Sequence, residues 1–215
     1  LVKCEKCELF QLREIIDKKI LFPKSYPYTS STTKILRDNF RSLSKKLINK
    51  KFISKNELLL DIGSNDGNLL SYFKNKTKIL GITPENIGKK AISKGIPTIL
   101  NYFNNKTSKY IRKKYGKCKI ITATNVFAHI DNLNNLINNI KKNLELNWIF
   151  ISENHYFADV VQTLQYDTIY HEHLRYYTVT HLKKLFNKNG MEVFNVEKIK
   201  THGGSIRVYA CRIGK

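Results

Sequence analysis

The residues best suited to acid–base chemistry form a run of four, Tyr170-His171-Glu172-His173, in the string QYDTIYHEHLRYY. A histidine has a reference pKa of about 6.5, so His173 can accept a proton near pH 7. Glu172 can orient or repolarise an imidazole, and Tyr170 can donate a hydrogen bond to a developing oxyanion. Four of the six histidines fall between residues 155 and 181. This concentration favours a proton-transfer site over the alternative, a surface loop with incidental histidines.

A second candidate site is the glycine-rich segment 61–67, DIGSNDG, which follows an apolar run and precedes residues at helical spacing. In doubly wound sheets, ligands bind beyond the carboxyl ends of the strands, and the first strand–helix turn lies closest to them. Gly63 and Gly67 permit close backbone approach and conformations that a side chain would forbid. The helix that follows can bind a carboxylate at its N-terminus. The segment therefore predicts a cofactor loop, with a tight turn before a helix as the alternative.

Alternation of apolar runs and amphipathic segments predicts βαβ units around a parallel sheet. Strands are predicted over 57–63, 78–84, 97–103, 118–130 with its loop, and 148–154, and helices over 67–76, 85–95, 107–116 and 132–146. Residues 154–177 lack periodicity and are expected to form a polar and aromatic insertion, with His155, Tyr156, Tyr176 and Tyr177 adding to its lining. A helix over 178–190, capped by Thr178 and closed by Gly190, precedes two alternating runs, 191–200 and 204–212, that predict an antiparallel pair.

The order of these elements predicts an α/β domain over residues 46–215, preceded by a short, turn-rich N-terminal arm over residues 1–45. With 41% hydrophobic residues, the chain can bury a full core. No apolar run approaches the roughly 18–20 residues of a membrane helix, and no signal peptide is recognisable, so we expect a cytoplasmic protein without a membrane partner.

The charge balance is strongly basic, with 38 Lys and Arg against 17 Asp and Glu and a net charge of +21. A basic surface attracts nucleic acid, anionic membranes or phosphorylated metabolites. The lysines, however, are scattered among many Asn and Ile residues, a composition typical of AT-rich coding sequence. Charge alone therefore does not indicate a nucleic-acid partner.

The cysteines include one pair, Cys4 and Cys7, with the C-x2-C spacing of half a tetrahedral zinc site. A complete site needs four ligands, and no second C-x2-C pair follows. Zinc is possible on this spacing, but the site is incomplete. Cys118 and Cys211 lie beside or within apolar runs and are expected to be buried thiols.

The glycine segment and the element order resemble the class I S-adenosylmethionine-dependent methyltransferases. The implied fold is a Rossmann-like seven-stranded sheet, mostly parallel, with a C-terminal antiparallel hairpin. The implied cofactor is S-adenosyl-L-methionine, held by Asp61, Gly63, Ser64, Asn65, Gly67 and Thr83. Thr83 stands where these enzymes usually carry an acidic residue for the ribose, with Glu85 two residues on. A threonine forgoes the charge-assisted hydrogen bond, so weak cofactor binding is expected.

A narrower resemblance is to the sugar C-methyltransferases, which act on nucleotide-linked 4-keto-deoxysugars. The matching strings are LVKCEKCELFQL, YPYTSS, LLLDIGSNDGNLL, NVFAHI, YDTIYHEH and THGGSIRVYA, in the order of that family and over nearly the whole chain. The resemblance implies that a base removes the C3 proton beside the C4 ketone and that the resulting carbanion accepts the methyl group.

The residue roles below are those that the resemblance implies. His173 is the base, supported by Tyr170 and Glu172. The substrate-binding residues are Tyr28, Asn125, His129 and His202, with Tyr28 closing over the sugar. Ser205 and Arg207 either contact the substrate or shape the closing hairpin, and a capping or core role for His129 stays open.

The chain departs from that family at both ends. The first zinc cysteine pair and the C-terminal domain that helps bind the nucleotide are absent, so a missing domain or a companion chain is expected. The alternatives are a methyltransferase acting on RNA or another small molecule, a truncated non-catalytic relative, and a zinc-knuckle binding module.

Overall fold

The structure, a computed structural model, describes residues 1–25 and 27–214, with only the backbone of Lys18. Tyr26, the first residue of the YPYTSS segment, and Lys215, the end of the predicted domain, lie outside the described residues. Within them, the main sheet has seven strands. Its strands, in chain order, are β3 (Leu58–Ile62), β4 (Lys78–Thr83), β5 (Thr98–Leu100), β6 (Cys118–Thr124), β7 (Leu144–His155), β9 (Met191–Ile199) and β10 (Ser205–Arg212).

The sheet order is β5-β4-β3-β6-β7-β10-β9. Strands β3 to β7 are parallel, whereas β10 pairs antiparallel with both β7 and β9. The predicted class I fold and the predicted C-terminal antiparallel pair are confirmed. All five residues of β3 are buried because helices cover both faces of the sheet, which explains the unbroken apolar run in the sequence.

The helices are α1 (Lys18–Leu21), α2 (Lys34–Asn49), α3 (Asn68–Ser71), α4 (Gly88–Ser93), α5 (Asn105–Tyr115), α6 (Leu133–Asn143), α7 (Phe157–Gln162) and α8 (Val179–Lys188). The boundary predicted at residue 45 falls inside α2. Phe40, Leu43 and Leu47 of α2 pack against the sheet in the same hydrophobic cluster as Leu59. The second half of the predicted arm is therefore continuous with the core.

Two predicted helices differ from the structure. The helix predicted over 67–76 is a single turn, α3, followed by turns to Lys76. The helix predicted over 132–146 ends at Asn143, because Leu144 already pairs with Cys118 as the first residue of β7. Pairing with a neighbouring strand overrides helical periodicity at this boundary.

The predicted caps of α8 are confirmed. The Thr178 hydroxyl accepts a hydrogen bond from the His181 backbone N–H, and the His181 ring reaches back to Thr178, which is a capping box. Gly190 follows the helix with φ +72°, the left-handed conformation that a glycine adopts without strain.

A small second sheet joins the N-terminus to the segment after residue 173. Strands β1 (Val2–Lys3), β2 (Phe10–Gln11) and β8 (Arg175–Tyr176) pair antiparallel in this order. The Leu12 N–H donates to the Leu174 carbonyl at 3.0 Å, and the Leu174 N–H donates to Ala128 at 2.8 Å. The backbone next to His173 is thus fixed from two sides.

No helix in residues 1–25 and 27–214 combines the length and apolar character that membrane crossing requires.

Candidate active site

A large cavity lies at the carboxyl edge of the parallel strands and has a volume of about 1150 Å³. Both predicted sites open into it. From the glycine segment and the next strand, the lining includes Asp61, Gly63, Ser64, Asn65 and Thr83. The predicted catalytic residues Tyr170, Glu172 and His173 line the same space, as do Tyr28, Asn125, His129 and His202. Residues more than 100 positions apart in the sequence therefore share one cleft.

The turn after β3 forms a cradle at Gly63 but not at Gly67. Gly63 has φ +73°, and a Cβ there would lie 2.5 Å from Val126 Cγ2. Gly67 has φ +75°, but the space for its Cβ is filled by Ile96 and Ala91, and Gly67 does not line the cavity. The second glycine therefore serves turn formation and packing. The following helix, α3, is one turn long and gives little of the N-terminal dipole that the sequence suggests.

Ser64 presents a buried hydroxyl to this cradle. The residue is 3% exposed and lines the cavity, and its Oγ has no hydrogen-bond partner among the described residues. An unsatisfied buried hydroxyl is costly, and a polar ligand group would satisfy it. This orphaned atom fits a cofactor with polar substituents at the turn.

Asp61, the last residue but one of β3, is a buried carboxyl. Its Oδ1 accepts a hydrogen bond from Thr122 Oγ1 at 2.6 Å. Burial, with the nearby Glu153 carboxyl adding to it, raises the pKa of Asp61 to about 7 against the hydrogen bond from Thr122. The group can therefore carry a proton near neutral pH.

Thr83 and Glu85 act together at the end of β4. Thr83 is buried, and its hydroxyl donates to the Glu85 carboxylate. Glu85 lines the cavity and is only partly exposed. A carboxylate therefore lies beside the predicted cofactor residue Thr83, two residues later in the chain, and Thr83 holds it. The sequence noted Glu85 but did not show that its side chain bonds to Thr83.

Asn65 lines the cavity and also bonds to the segment before α2. Its Nδ2 donates to the Tyr28 carbonyl at 3.0 Å, and its Oδ1 accepts from the Ser30 N–H at 2.9 Å. Tyr28 is 42% exposed and lines the cavity. The glycine segment and the YPYTSS segment are therefore in direct contact.

His173 is held as a neutral imidazole by hydrogen bonds at both ring nitrogens. Its Nδ1 lies 3.2 Å from the Thr168 carbonyl, which can only accept, so Nδ1 carries the proton. The Tyr170 hydroxyl lies 3.4 Å from Nε2 and donates to it. Burial, followed by repulsion from the His129 imidazole, lowers the pKa of His173 to about 3. The ring therefore stays unprotonated near neutral pH, with Nε2 as its hydrogen-bond acceptor.

His129 packs beside His173 with ring centroids 5.1 Å apart. Its Nδ1 donates to the backbone carbonyl of Glu172 at 2.7 Å, and burial lowers its pKa. Glu172 therefore orients an imidazole, as the sequence suggests. The group that does so is its backbone carbonyl rather than its carboxylate, and the imidazole is that of His129. His129 also lines the cavity, so its ring is within reach of a ligand there.

Asn125 and His202 meet across the cavity in unusual backbone conformations. Their φ angles are +56° and +50°, and Asn125 Nδ2 donates to His202 Nε2 at 3.2 Å. Non-glycine residues in this region are uncommon and concentrate at functional sites. Their contact links the loop after β6 to the turn between β9 and β10.

Gln165 is a lining residue that sequence reasoning did not identify. Its side-chain amide donates to the Gly203 carbonyl at 2.9 Å, so its Oε1 is left to accept from His155 Nε2 at 3.1 Å. His155 and Gln165 both line the cavity. No pattern in the aperiodic segment marks a glutamine for this role.

Several aromatic and hairpin residues lie away from the cavity. Tyr177 is buried, and its hydroxyl donates to the Phe127 carbonyl, while Tyr176 packs on Phe157. Tyr156 stands next to the cavity residue His155 without lining the cavity. The prediction that these three tyrosines line the site is therefore not met.

Arg207 belongs to the core rather than to the substrate site. Arg207 is 3% exposed and pairs with the buried Glu153 carboxylate, with Nε to Oε1 at 2.8 Å, and with Asn39 at 2.7 Å. Ser205 donates to the Thr201 carbonyl at 3.0 Å. Of the two roles left open by the sequence, shaping the hairpin is the one that the structure supports.

The Cys4–Cys7 pair forms a turn between β1 and β2. Hydrogen bonds from the backbone N–H groups of Cys7 and Lys6 lower the pKa of Cys4. Within residues 1–25 and 27–214, no cluster of three or more His, Cys, Asp or Glu side chains is arranged to hold a metal. The pair is thus half a site, and zinc is not supported.

Comparison with known proteins agrees with this architecture. The profile of the family described as methyltransferase domain matches residues 31–196. C-methyltransferase NovU of Streptomyces niveus is 29% identical over 211 residues, which cover 97% of this chain and 50% of NovU. The chain therefore spans about half the length of this curated relative.

Solved structures of similar fold include magnesium protoporphyrin IX methyltransferase ChlM from Synechocystis PCC 6803. With bound SAM, it has a TM-score of 0.63 at 12% identity, covering 94% of this chain and 99% of ChlM. With bound SAH, the TM-score is 0.62 at 14% identity, covering 82% and 83%. An S-adenosylmethionine-dependent methyltransferase from Clostridium acetobutylicum has a TM-score of 0.60 at 13% identity, covering 92% and 96%. At these identities, the likeness shows the fold.

Proposed function

Because this chain belongs to the methyltransferase domain family, we propose that it methylates carbon C3 of a nucleotide-linked 4-keto-deoxysugar. It is an S-adenosylmethionine-dependent methyltransferase. The sugar and the carbon are the proposal. Their main support is that a neutral, hydrogen-bonded imidazole at His173 lines the same cavity as the glycine turn.

The cofactor-binding residues in this proposal line one side of the cavity. Gly63 leaves room beside Val126, the orphaned Ser64 hydroxyl offers a hydrogen bond, and Glu85, held by Thr83, accepts bonds from ribose hydroxyls. When bound, S-adenosylmethionine supplies an electrophilic methyl group on a sulfonium centre. Methyl transfer itself needs alignment more than acid–base help, so the chain's chemical work lies in preparing the acceptor carbon.

His173 performs that preparation. A C–H group beside a ketone is a weak acid, so removal of its proton needs a positioned base and stabilisation of the enolate oxygen. Nε2 takes the C3 proton, and the bond electrons move into the enolate. The Tyr170 hydroxyl is freed from Nε2 as that nitrogen becomes protonated and can donate to the enolate oxygen. The negative enolate raises the pKa of His173 from about 3, because an opposite charge favours the imidazolium form.

The substrate class receives support from the relative and from the lining. C-methyltransferase NovU, by its name, forms carbon–methyl bonds, and it aligns with nearly the whole chain. Asn125, His129 and His202 present amide and imidazole groups that suit sugar hydroxyl and carbonyl oxygens. Since the chain spans half of NovU, a further domain or companion chain that holds the nucleotide is part of the proposal.

The test is isotope exchange at the acceptor carbon. The protein is incubated in deuterated water with methyl-labelled S-adenosylmethionine and a panel of nucleotide 4-keto-deoxysugars, and mass spectrometry follows deuterium at C3 and methyl gain. His173→Asn should lower exchange by about 10²–10⁴-fold, the usual contribution of a general base. His171→Asn is the matched control, because His171 is exposed and lies outside the cavity lining. Undiminished exchange in His173→Asn would refute the proposed base.

A further inference from the structure

Each polar group of Ser30 forms a hydrogen bond with the glycine turn or with the first residue of α3. Its N–H donates to Asn65 Oδ1 at 2.9 Å, and its hydroxyl donates to Asp66 Oδ1 at 2.7 Å. Its carbonyl accepts from Asn68 Nδ2 at 3.3 Å. Ser30 is only 9% exposed, so these bonds are shielded from water. Two residues of the turn, Asn65 and Asp66, and the first residue of α3, Asn68, thus hold one residue of the segment before α2.

Asn65 extends this attachment to Tyr28. The Asn65 amide accepts from Ser30 and donates to the Tyr28 carbonyl at 3.0 Å, so both ends of its side chain contact the segment. Asn65 has φ +51°, a conformation that points its side chain away from the helical path and that Asn tolerates. Tyr28 lines the cavity two residues before Ser30. The backbone that carries Tyr28 is therefore built onto the turn that carries Gly63 and Ser64.

Asp66 strengthens the contact between Ser30 and the glycine turn. Hydrogen bonds from Ser31 and Ser30 and the charge of Lys94, whose Nζ lies 3.3 Å from Oδ2, outweigh burial and lower the pKa of Asp66. The carboxylate is thus an ionised acceptor for the Ser30 hydroxyl, and such bonds are stronger than neutral ones.

We propose that Asn65 and Ser30 are positioning residues that couple occupancy of the glycine turn to the placement of Tyr28 over the acceptor site. This inference rests on the proposed function, in which Tyr28 covers the sugar. A ligand that orders the turn also orders residues 28–31, because the two share four hydrogen bonds. The acceptor then meets a pre-arranged Tyr28, and by reciprocity a bound acceptor tightens cofactor binding. Asn65 contributes through Tyr28 and Ser30 rather than as a cofactor ligand.

Hydrogen exchange of the intact chain with and without S-adenosylhomocysteine tests this coupling and needs no sugar substrate. In the wild type, the ligand should slow exchange of the amides of residues 29–31 by about tenfold or more, since the Ser30 N–H is itself one of the shared bonds. Asn65→Gly removes both side-chain bonds while tolerating positive φ, and Ser30→Ala removes the bond to Asp66. Each should abolish that protection and change S-adenosylhomocysteine affinity by less than about threefold.

Ser44→Ala is the matched control, because Ser44 is a buried serine of α2 whose hydroxyl bonds the Arg41 carbonyl away from the turn. It should keep the protection. The inference is overturned if the ligand leaves residues 29–31 unchanged in the wild type. It is also overturned if Asn65→Gly weakens ligand binding more than about tenfold while the segment exchanges as before, which would make Asn65 a cofactor ligand. Either result is independent of whether a sugar is methylated.

Discussion

The two sides of the cavity are built in different ways. The cofactor side takes Asp61, Gly63 and Thr83 from the ends of adjacent parallel strands, so the sheet itself fixes their spacing. The histidine side takes its four imidazoles from four separate loops or strand ends, at positions 129, 155, 173 and 202. Each of those rings is oriented by its own hydrogen bond, to Glu172, Gln165, Thr168 or Asn125. Backbone geometry dominates the first side and single side-chain contacts dominate the second.

The largest effect should come from disturbing backbone geometry on the cofactor side. Gly63→Ala places a Cβ 2.5 Å from Val126 in a residue with φ +73°. We expect the free energy of unfolding to fall by about 2–4 kcal/mol and cofactor affinity to fall with it. Chemical denaturation and calorimetric titration with S-adenosylhomocysteine measure the two losses.

The variant Gly95→Ala separates the effect of backbone strain from the effect of the clash between the new Cβ and Val126. Gly95 has the same φ of +73°, but the nearest atom to its Cβ would be the mobile Nζ of Lys74 at 3.1 Å. This variant should lose about 1 kcal/mol and keep cofactor affinity. Equal losses in both variants would mean that the contact with Val126 does not shape the turn.

On the histidine side, a single hydroxyl should matter to chemistry and not to cofactor binding. Tyr170→Phe removes the donor to His173 Nε2 and to the developing enolate. We expect kcat to fall by about 10–100-fold, less than the roughly 10²–10³-fold loss for one oxyanion donor because Tyr170 is 42% exposed. The affinity for S-adenosylhomocysteine should stay unchanged. Tyr166→Phe in the same segment, where Tyr166 is 81% exposed, should leave both unchanged. A drop in cofactor affinity in Tyr170→Phe would show that the two sides are not separable.

The histidine side should also make stability depend on pH. The pKa of His173 is about 3 in the folded chain and about 6.5 when unfolded, so between these values only the unfolded chain binds the proton. Stability is therefore greatest above about pH 6.5 and falls as the pH drops toward 3. From pH 7 to 5, His173→Asn should lose about 1–2 kcal/mol less stability than the wild type.

Denaturant titrations at several pH values measure this slope. The exposed His171→Asn should keep the wild-type slope. An identical slope in His173→Asn would mean that the ring is not held neutral by its surroundings.

The smallest effect should come from charge on the cofactor side. Glu85→Gln keeps the size of the residue and its bond with Thr83 but removes the negative charge offered to ribose hydroxyls. S-adenosylhomocysteine affinity should fall by about threefold to tenfold, the difference between charged and neutral hydrogen bonds. Glu14→Gln removes an equal charge from an exposed residue and should have no effect. Unchanged affinity in Glu85→Gln would return the ribose role to Thr83 alone.

The contrast between the two sides explains what the sequence could predict. Strands β3 to β7 and the glycine turn follow from periodicity and turn chemistry, which act over a few residues. The position of the Glu85 side chain does not follow from them, because it depends on a turn after β4 that no sequence pattern marks. The sequence also does not predict which group of Glu172 acts, because its backbone carbonyl and not its carboxylate orients His129.

The long-range contacts were the least predictable. The bonds of Asn65 to Tyr28 and Ser30 join positions 35 or more residues apart, and the sequence alone suggested a local, ligand-facing asparagine. Gln165 likewise bonds to Gly203 only when the turn before β10 packs against it. Such contacts are set by tertiary packing, which single-sequence patterns do not record.

The pairing of β2 with β8 has a practical consequence for protein engineering. Residues 1–12 hold the strand that begins two residues after His173, so the fold of the His173 segment depends on them. Chimeras with related enzymes should therefore exchange both segments together.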